Sequence, residues 1–96
     1  MNTAQTILSQ IKALDPMALF AWGAKDLMNM GDGLKFKTSG MTPWKGYVYI
    51  KYNEGRDLYE IDFFRFRKVV AIYDKKVEDV YAEDLVRIID GFVGWQ

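Results

Sequence analysis

The chain has 96 residues, half of them hydrophobic and 27% charged, and its 13 basic residues balance 13 acidic ones. This length and composition predict one globular domain over residues 1–96, and a net charge of zero gives no reason to expect strong non-specific binding to DNA. Because the chain contains no His and no Cys, zinc fingers, Cys–His catalysis, disulfide scaffolds and haem ligation by these residues are excluded.

Residues 3–14 predict an amphipathic helix. Asn2 or Thr3 can cap its first N–H groups. Asp15-Pro16 is expected to end it, because the residue before a proline disfavours the helical conformation. The apolar stripe at helical spacing consists of Ile7, Leu8, Ile11 and Leu14.

Residues 17–33 leave two interpretations open. Asp15 as N-cap and Pro16 as the first helical residue favour a second short helix. The apolar residues 19–22 would equally suit a short buried strand. Either way, the Gly-Asp-Gly segment at residues 31–33 predicts a turn.

From residue 34 the apolar period changes to two, which is typical of strands. A short strand is expected over residues 34–37. A stronger one is expected over residues 47–52, which are rich in aromatic and β-branched types. Residues 53–56 predict a hairpin connection. Alternation places Val48, Ile50 and Tyr52 on one face of the second strand and Tyr47, Tyr49 and Lys51 on the other.

Residues 58–67 predict the next strand, but its alternation slips. Phe64 and Phe66 fall on the face that carries two acidic residues earlier in the strand. A bulge near Phe64-Arg65 would return Phe66 to the core side. The sequence therefore predicts an irregular strand in which Phe63 and Phe66 are directed inward, while Phe64 stays on the face of the acidic residues.

The remaining residues predict a strand, a connection and a helix. The strand is expected at residues 69–73, the charged connection at residues 74–79 and the helix at residues 81–90. Gly91 is the expected C-cap, because glycine readily adopts the left-handed conformation that ends many helices. The predicted buried stripe of the helix consists of Tyr81, Leu85, Ile88, Ile89 and Phe92.

Together these elements predict an α+β fold, in which a four- or five-stranded antiparallel β-meander packs against an N-terminal and a C-terminal helix. No run of about 18 apolar residues is present, so no transmembrane helix and no membrane partner are expected. Because the chain has no cysteine from which to form disulfides, the expected location is the cytoplasm.

Charge is segregated along the chain despite the net balance. Residues 35–56 and residues 65–76 each contain five basic residues and one acidic residue, whereas residues 78–90 contain five acidic residues and one basic residue. The predicted sheet is therefore basic and the last helix acidic. This polarity either serves solubility or provides a surface that attracts an anionic partner.

Aromatic and basic residues alternate along two of the predicted strands. Exposed rings can stack on nucleic acid bases while lysine and arginine contact phosphates, or they can anchor a protein interface. A tryptophan in the loop before residue 47 is a candidate anchor of the second kind. The candidate binding residues are Trp44, Tyr47, Tyr49, Lys51, Arg65 and Arg67.

The sequence gives little support for catalysis. Glu60 and Asp62 lie two residues apart on one strand face, and paired carboxylates can act as acid and base or hold a divalent cation. Cross-strand ion pairs with lysine or arginine are the simpler expectation. No catalytic residue, metal site, cofactor or enzymatic activity is therefore predicted.

Four short segments resemble a loose group of small, uncharacterised proteins from bacteriophages and mobile elements. The resemblance covers about residues 8–90. It rests on a Gly-Ala-Lys segment at residues 23–25, an L-x-F strand, a D-L-Y-x-I-x-F strand beginning at Asp57, and a V-Y-A-E-x-L segment beginning at Val80. It implies an accessory gene of a phage or prophage in a bacterial host. Proteins of this kind often bind a host protein.

The leading interpretation is a non-enzymatic, phage-related accessory protein that acts as a protein-interaction module, with a host protein as the expected partner. The alternative is a single-stranded nucleic-acid-binding module that uses the same basic, aromatic sheet face. A homo-oligomer formed through exposed strand edges is a third interpretation.

Overall fold

The computed structural model describes residues 2–39 and 41–94. It contains a five-stranded antiparallel sheet in the order β1-β2-β3-β4-β5, so each strand pairs with its neighbour in sequence. The predicted α+β meander with one helix at each end is therefore confirmed. The elements are α1 (Thr3–Leu14), α2 (Ala18–Ala21), β1 (Lys25–Asn29), β2 (Gly33–Lys37), β3 (Tyr47–Asn53), β4 (Leu58–Arg67), β5 (Val70–Val80), a 3₁₀ turn (Ala82–Asp84) and α3 (Leu85–Val93).

The bounds of α1 agree with the prediction, and both ends have a physical cause. At the N-terminus the backbone N–H of Gln5 donates to the Asn2 side chain at 2.8 Å, and the Asn2 N–H donates to the Gln5 side chain at 3.1 Å. This reciprocal capping box satisfies two N–H groups that have no partner within the helix. At the C-terminus Asp15 takes an extended conformation, as expected for a residue that precedes proline.

The ambiguous stretch contains the short helix α2 and one strand that the sequence did not indicate. The Asp15 carboxylate accepts a hydrogen bond from the Met17 N–H at 3.0 Å, which helps the chain to turn into α2. The alternative of a buried strand over residues 19–22 is therefore wrong. Strand β1 follows directly, and all five of its residues are exposed, which explains why it lacks an apolar alternation.

One face of the sheet is covered by the helices, and the core lies between them. Residues of α1 and α3 form a single apolar cluster with one face of strands β2 to β5. The alternation predicted for β3 is confirmed, since Val48 and Ile50 are fully buried in this cluster. The cluster's fully buried members include Ile7, Ile11, Phe36, Val48, Ile50, Ile61, Phe63, Leu85, Ile89 and Val93.

The predicted bulge in β4 is wrong, because the extra residue lies in β5. Phe63 pairs with Lys75 and Phe64 with Tyr73, so Asp74 has no opposite residue in β4. Phe66 consequently stays on the face opposite the helices, where 53% of it is exposed. The predicted charged connection at residues 74–79 is also wrong, since β5 continues through it. An edge strand tolerates charged side chains because they can point to solvent.

The C-terminal helix begins and ends later than the sequence predicts. A 3₁₀ turn precedes it, and Gly94, not Gly91, is its C-cap. Tyr81 lies before the turn and is 56% exposed, so it does not belong to the buried stripe. Among the residues that the structure describes, no helix is both long and apolar enough to cross a bilayer.

Candidate interaction surface

The face of the sheet opposite the helices is here called the open face. Because neighbouring antiparallel strands place paired residues on the same side, the register defines which side chains share it. Two rows cross this face from β1 to β5. The first row contains Lys25, Lys37, Tyr47, Phe64 and Tyr73, and the second contains Met28, Lys35, Tyr49, Asp62 and Lys76.

Four rings of the open face form an aromatic cluster, which consists of Tyr47, Phe64, Phe66 and Tyr73. Phe64 stacks on Tyr47 at a centroid distance of 5.4 Å and lies 5.2 Å from Tyr73. Phe66 meets Tyr47 and Phe64 edge-on at 5.6 and 5.8 Å. Phe64 is only 6% exposed, yet it does not belong to the helix-covered core. The cluster is therefore a separate apolar unit on the open face.

Lysine ammonium groups lie over the tyrosine rings of the open face. Lys35 and Lys37 approach Tyr47 with Nζ 5.5 and 5.9 Å from the ring centroid. Lys76 lies over Tyr73 at 4.5 Å. These distances permit cation–π attraction, which contributes about 0.5–1 kcal/mol at exposed sites.

The positive charge at the aromatic cluster is not neutralised. None of Lys25, Lys35, Lys37 and Lys76 forms an ion pair with a carboxylate within residues 2–39 and 41–94. Lys25 and Lys37 are moreover directly opposite each other in the register. Like charges in this position destabilise a sheet, so an anion that approached them would relieve repulsion.

The remaining part of the open face carries its own counter-charges. The Nζ of Lys51 lies 3.0 Å from Asp62 and 3.9 Å from Glu60. This confirms the expectation that the two carboxylates form cross-strand ion pairs. Burial alone would lower the pKa of Lys51, but the hydrogen bond to Asp62 and the nearby negative charges outweigh it and raise the pKa. The ammonium of Lys51 also lies 5.4 Å from the Tyr49 ring centroid.

Tyr49 is tied to the same charged network. Its hydroxyl donates a hydrogen bond to Asp32 in the β1–β2 turn. Burial, this hydrogen bond and the negative charges of Asp32 and Asp62 raise the pKa of Tyr49 to about 12. The phenol therefore stays protonated at neutral pH and is a structural donor, not a base.

Three of the six residues singled out from the sequence meet on the open face: Tyr47, Tyr49 and Lys51. Trp44 does not join them, because it packs edge-on against Phe63 and Phe92 of the helix-covered core at 5.8 and 5.1 Å. The sequence predicts an exposed position for Trp44, because proline and glycine lie nearby in the same loop. The contact with α3 could not be seen there.

Arg65 and Arg67 occupy the side of β4 opposite Phe66, because side chains alternate along a strand. The Arg65 guanidinium donates to the Asp74 carboxylate, with Nη2 2.9 Å from Oδ1. The Trp44 indole donates to the same carboxylate at 2.8 Å. These two hydrogen bonds, the one from Arg65 foremost, lower the pKa of Asp74.

A shallow depression of about 300 Å³ lies at the end of the aromatic cluster. Arg65 lines this depression at the edge of the open face, although its guanidinium is paired with Asp74. The depression is lined by Lys37, Lys45, Gly46, Tyr47, Arg65 and Phe66. Three basic side chains around two rings suit an acidic side chain carried on an apolar segment.

Sequence reasoning missed most of the aromatic cluster and its lysines. Phe66 was assigned inward by the expected bulge, Phe64 was placed on the acidic face without a role, and Tyr73 was treated as an ordinary strand residue. Lys35 was seen as part of an alternating strand, but nothing indicated that it lies over Tyr47. A regular alternation along β4, without the predicted bulge, would have identified this face, because it places Phe64 and Phe66 on the same side as Tyr47.

Within the part of the chain that the structure describes, no group of three or more His, Cys, Asp or Glu side chains could hold a metal ion. No family model, no curated protein and no solved structure matches this chain. The arrangement of the open face is thus the observation from which its function has to be argued. Chemically it can offer apolar ring edges together with unpaired ammonium groups.

Proposed function

We propose that the protein is a non-enzymatic interaction module that binds an acidic, partly apolar segment of a partner protein through the aromatic cluster and its lysines. The observation that carries this proposal is the placement of ammonium groups over the rings of Tyr47 and Tyr73. A carboxylate can reach these ammonium groups while an apolar side chain contacts the ring edges.

The exposed part of the cluster supplies the apolar contact. Phe66 is 53% and Tyr73 is 51% exposed. Aromatic side chains at the centre of an interface often account for about 2 kcal/mol or more of binding free energy each. The neighbouring lysines, which form no ion pair among the described residues, add electrostatic attraction and favour an acidic partner over a basic one.

The same geometry argues against single-stranded nucleic acid as the partner. Base stacking requires a free ring face. One face of Tyr47 is covered by Phe64, and the ammonium groups of Lys35 and Lys37 approach its ring. Tyr73 packs against Phe64 and has the Lys76 ammonium over its ring. A base would have to displace these lysines, whereas a carboxylate would use them.

The resemblance to small phage and mobile-element proteins stays a prediction, and it supplies the setting of the proposal. An accessory protein of a phage would act inside a bacterial cell, and its partner would then be a host protein. The open face accounts for how such a protein could bind without any catalytic chemistry.

The test is affinity capture from bacterial lysate treated with nuclease, comparing wild type with two matched double variants. F66S combined with K37E changes the open face. The control variant combines F20S with K12E. Phe20 is 81% exposed and Lys12 of α1 is exposed, and both residues lie outside the open face. We expect a protein retained by wild type and by the second variant but lost by the first.

The identified protein is then titrated by fluorescence anisotropy beside an oligothymidylate of equal negative charge. We expect F66S/K37E to weaken binding of the protein by about 30-fold or more, which corresponds to about 2 kcal/mol. If the oligothymidylate binds instead, with an affinity that falls steeply with salt, the nucleic-acid alternative is correct. Equal loss in both double variants would also contradict the assignment of this surface.

A further inference from the structure

A second candidate site lies on the helix side of the sheet, away from the open face. It is a cleft of about 420 Å³, within the range of small-molecule pockets. Thr3, Thr6 and Gln10 of α1 form one wall, and the ends of β3, β4 and β5 form the floor. Its principal lining side chains are Thr3, Thr6, Gln10, Tyr52, Tyr59 and Tyr81.

Aromatic rings form much of the cleft. Tyr52 and Tyr59 are directly opposite each other in the β3–β4 register and meet edge-on at a centroid distance of 5.8 Å. Tyr81 is 56% exposed at the entrance. The sequence pattern assigned Tyr81 to the buried stripe because it was counted within the helix, whereas it precedes the 3₁₀ turn.

The hydroxyl protons of the two facing tyrosines are already committed. Tyr52 donates to the Asp57 carboxylate, and Tyr59 donates to the Gln10 side-chain oxygen at 2.6 Å. Each phenol oxygen therefore keeps its lone pairs and offers only an acceptor to a ligand. The second oxygen of the Asp57 carboxylate adds a charged acceptor at the rim.

The charge of the cleft has one sign. None of the described residues that line it is lysine or arginine, and Asp57 is its only charged lining residue. Arg56, the adjacent cation in the chain, is paired with Asp79, with Nε 2.6 Å from the carboxylate. The hydrogen bond to Asp57 and the negative charges of Asp57 and Glu54 raise the pKa of Tyr52.

We propose that this cleft binds a small organic cation, a primary ammonium on a short alkyl chain. Aromatic rings attract a cation over their faces. The committed hydroxyls and the carboxylate accept the N–H groups that an ammonium donates. The chemistry is shared by a free alkylamine and by the lysine side chain of a partner protein. None of the described lining residues offers a positive charge to an anion. A neutral alcohol can donate a hydrogen bond to Asp57 but lacks the charge attraction that an ammonium adds.

The test is a titration of the full chain with n-butylammonium, followed by ¹H–¹⁵N NMR. We expect saturable shifts at Thr3, Thr6 and Gln10, with a dissociation constant in the millimolar range. 1-Butanol, which has the same number of heavy atoms, and butyrate should bind at least about fivefold more weakly. Equal binding of 1-butanol would overturn the proposal, because the site would then be merely apolar.

Two variants with the same chemistry separate the cleft from a general charge effect. D57N removes the carboxylate of the Tyr52–Asp57 pair, at a positive-φ position that asparagine tolerates. D32N removes the carboxylate of the matching Tyr49–Asp32 pair on the open face. We expect D57N to weaken n-butylammonium binding about threefold or more and D32N to leave it unchanged. Equal effects of the two variants, or none from D57N, would overturn the proposal.

A third titration identifies the source of the ammonium. The probe is N-acetyl-lysine N-methylamide, which carries the same group on a peptide backbone. Binding within about threefold of n-butylammonium supports a partner's lysine side chain. Selective loss of binding supports a free alkylamine. Neither result depends on the open face, so this proposal and the proposed function fail independently.

Discussion

The covered face and the open face of the sheet both contain packed phenylalanines, but the surroundings of the rings differ. Phe63 and Phe64 are consecutive residues of β4 and are 0% and 6% exposed. Phe63 contacts Trp44 and the α3 residue Phe92. Phe64 packs against the rings of Tyr47, Phe66 and Tyr73 on the open face. Burial of a ring therefore does not by itself assign it to the core.

A second contrast lies within the open face. Lys51 pairs with two carboxylates, whereas Lys37 lies over Tyr47 and opposite Lys25. The first lysine is held in an internal ion-pair network, and the second leaves a charge for a partner. Surface electrostatics thus divides one face into a structural part and a part available for binding.

The largest expected effect separates the two faces by stability. Phe63→Ala should lower the free energy of unfolding by about 4 kcal/mol, because it opens a cavity in the helix-covered core. Phe66→Ala should lower it by only about 1 kcal/mol, since half of that ring is already exposed. Urea unfolding of both variants measures the difference. Similar losses would mean that the aromatic cluster is as important for folding as the core.

A smaller effect separates the two parts of the open face. Lys51→Met leaves Asp62, which is 6% exposed, without its ammonium partner. The expected loss of about 2 kcal/mol lies between the values for buried and exposed ion pairs. Lys37→Met should change stability by less than about 0.5 kcal/mol, because it also removes repulsion from Lys25. Urea unfolding at low salt is the measurement, and a cost for Lys37→Met equal to that for Lys51→Met would contradict the division.

The titration of Tyr49 tests the structural part in another way. Its pKa is raised from 10.0 to about 12, so the protonated phenol is favoured in the folded protein. The resulting stabilisation is complete below about pH 10 and is lost as the pH rises toward 12. Absorbance at 295 nm should show one tyrosine fewer titrating near pH 12 in Tyr49→Phe. Asp32→Asn should lower the pKa of Tyr49 only partly toward its ordinary value, because burial is the largest cause of the raised pKa.

The sequence was informative where alternation is regular and one face is buried. The opposite placement of Val48 and Tyr49 follows from the strand period alone, since β3 lies in the middle of the sheet and one of its faces packs in the core. The N-terminal cap of α1, predicted at Asn2 or Thr3, and its end before Pro16 also follow from local chemistry. Such features depend on neighbouring residues only.

The sequence was misleading where an edge strand or a distant contact decides the structure. Lys75 and Lys76 resemble a loop because nothing in their pattern shows that β4 supplies hydrogen bonds on one side. Trp44 resembles an exposed anchor because its contacts with Phe63 and Phe92 join residues that are far apart in the chain. The sequence therefore placed Tyr47 and Tyr49 on one strand face but did not indicate that Phe64, Phe66 and Tyr73 share it.

The smallest expected effect concerns Gly91, which the sequence favoured as a C-cap and the structure places inside α3. A methyl group added there would meet no atom within 4 Å. Gly91→Ala should therefore raise the free energy of unfolding by about 0.5–1 kcal/mol, because alanine loses less backbone entropy in a helix. Gly46→Ala is the control and should destabilise, since its methyl group would lie 2.7 Å from the Phe64 carbonyl oxygen. A left-handed C-cap at residue 91 would reverse the sign of the first result, so thermal or urea unfolding decides between the two placements of the helix end.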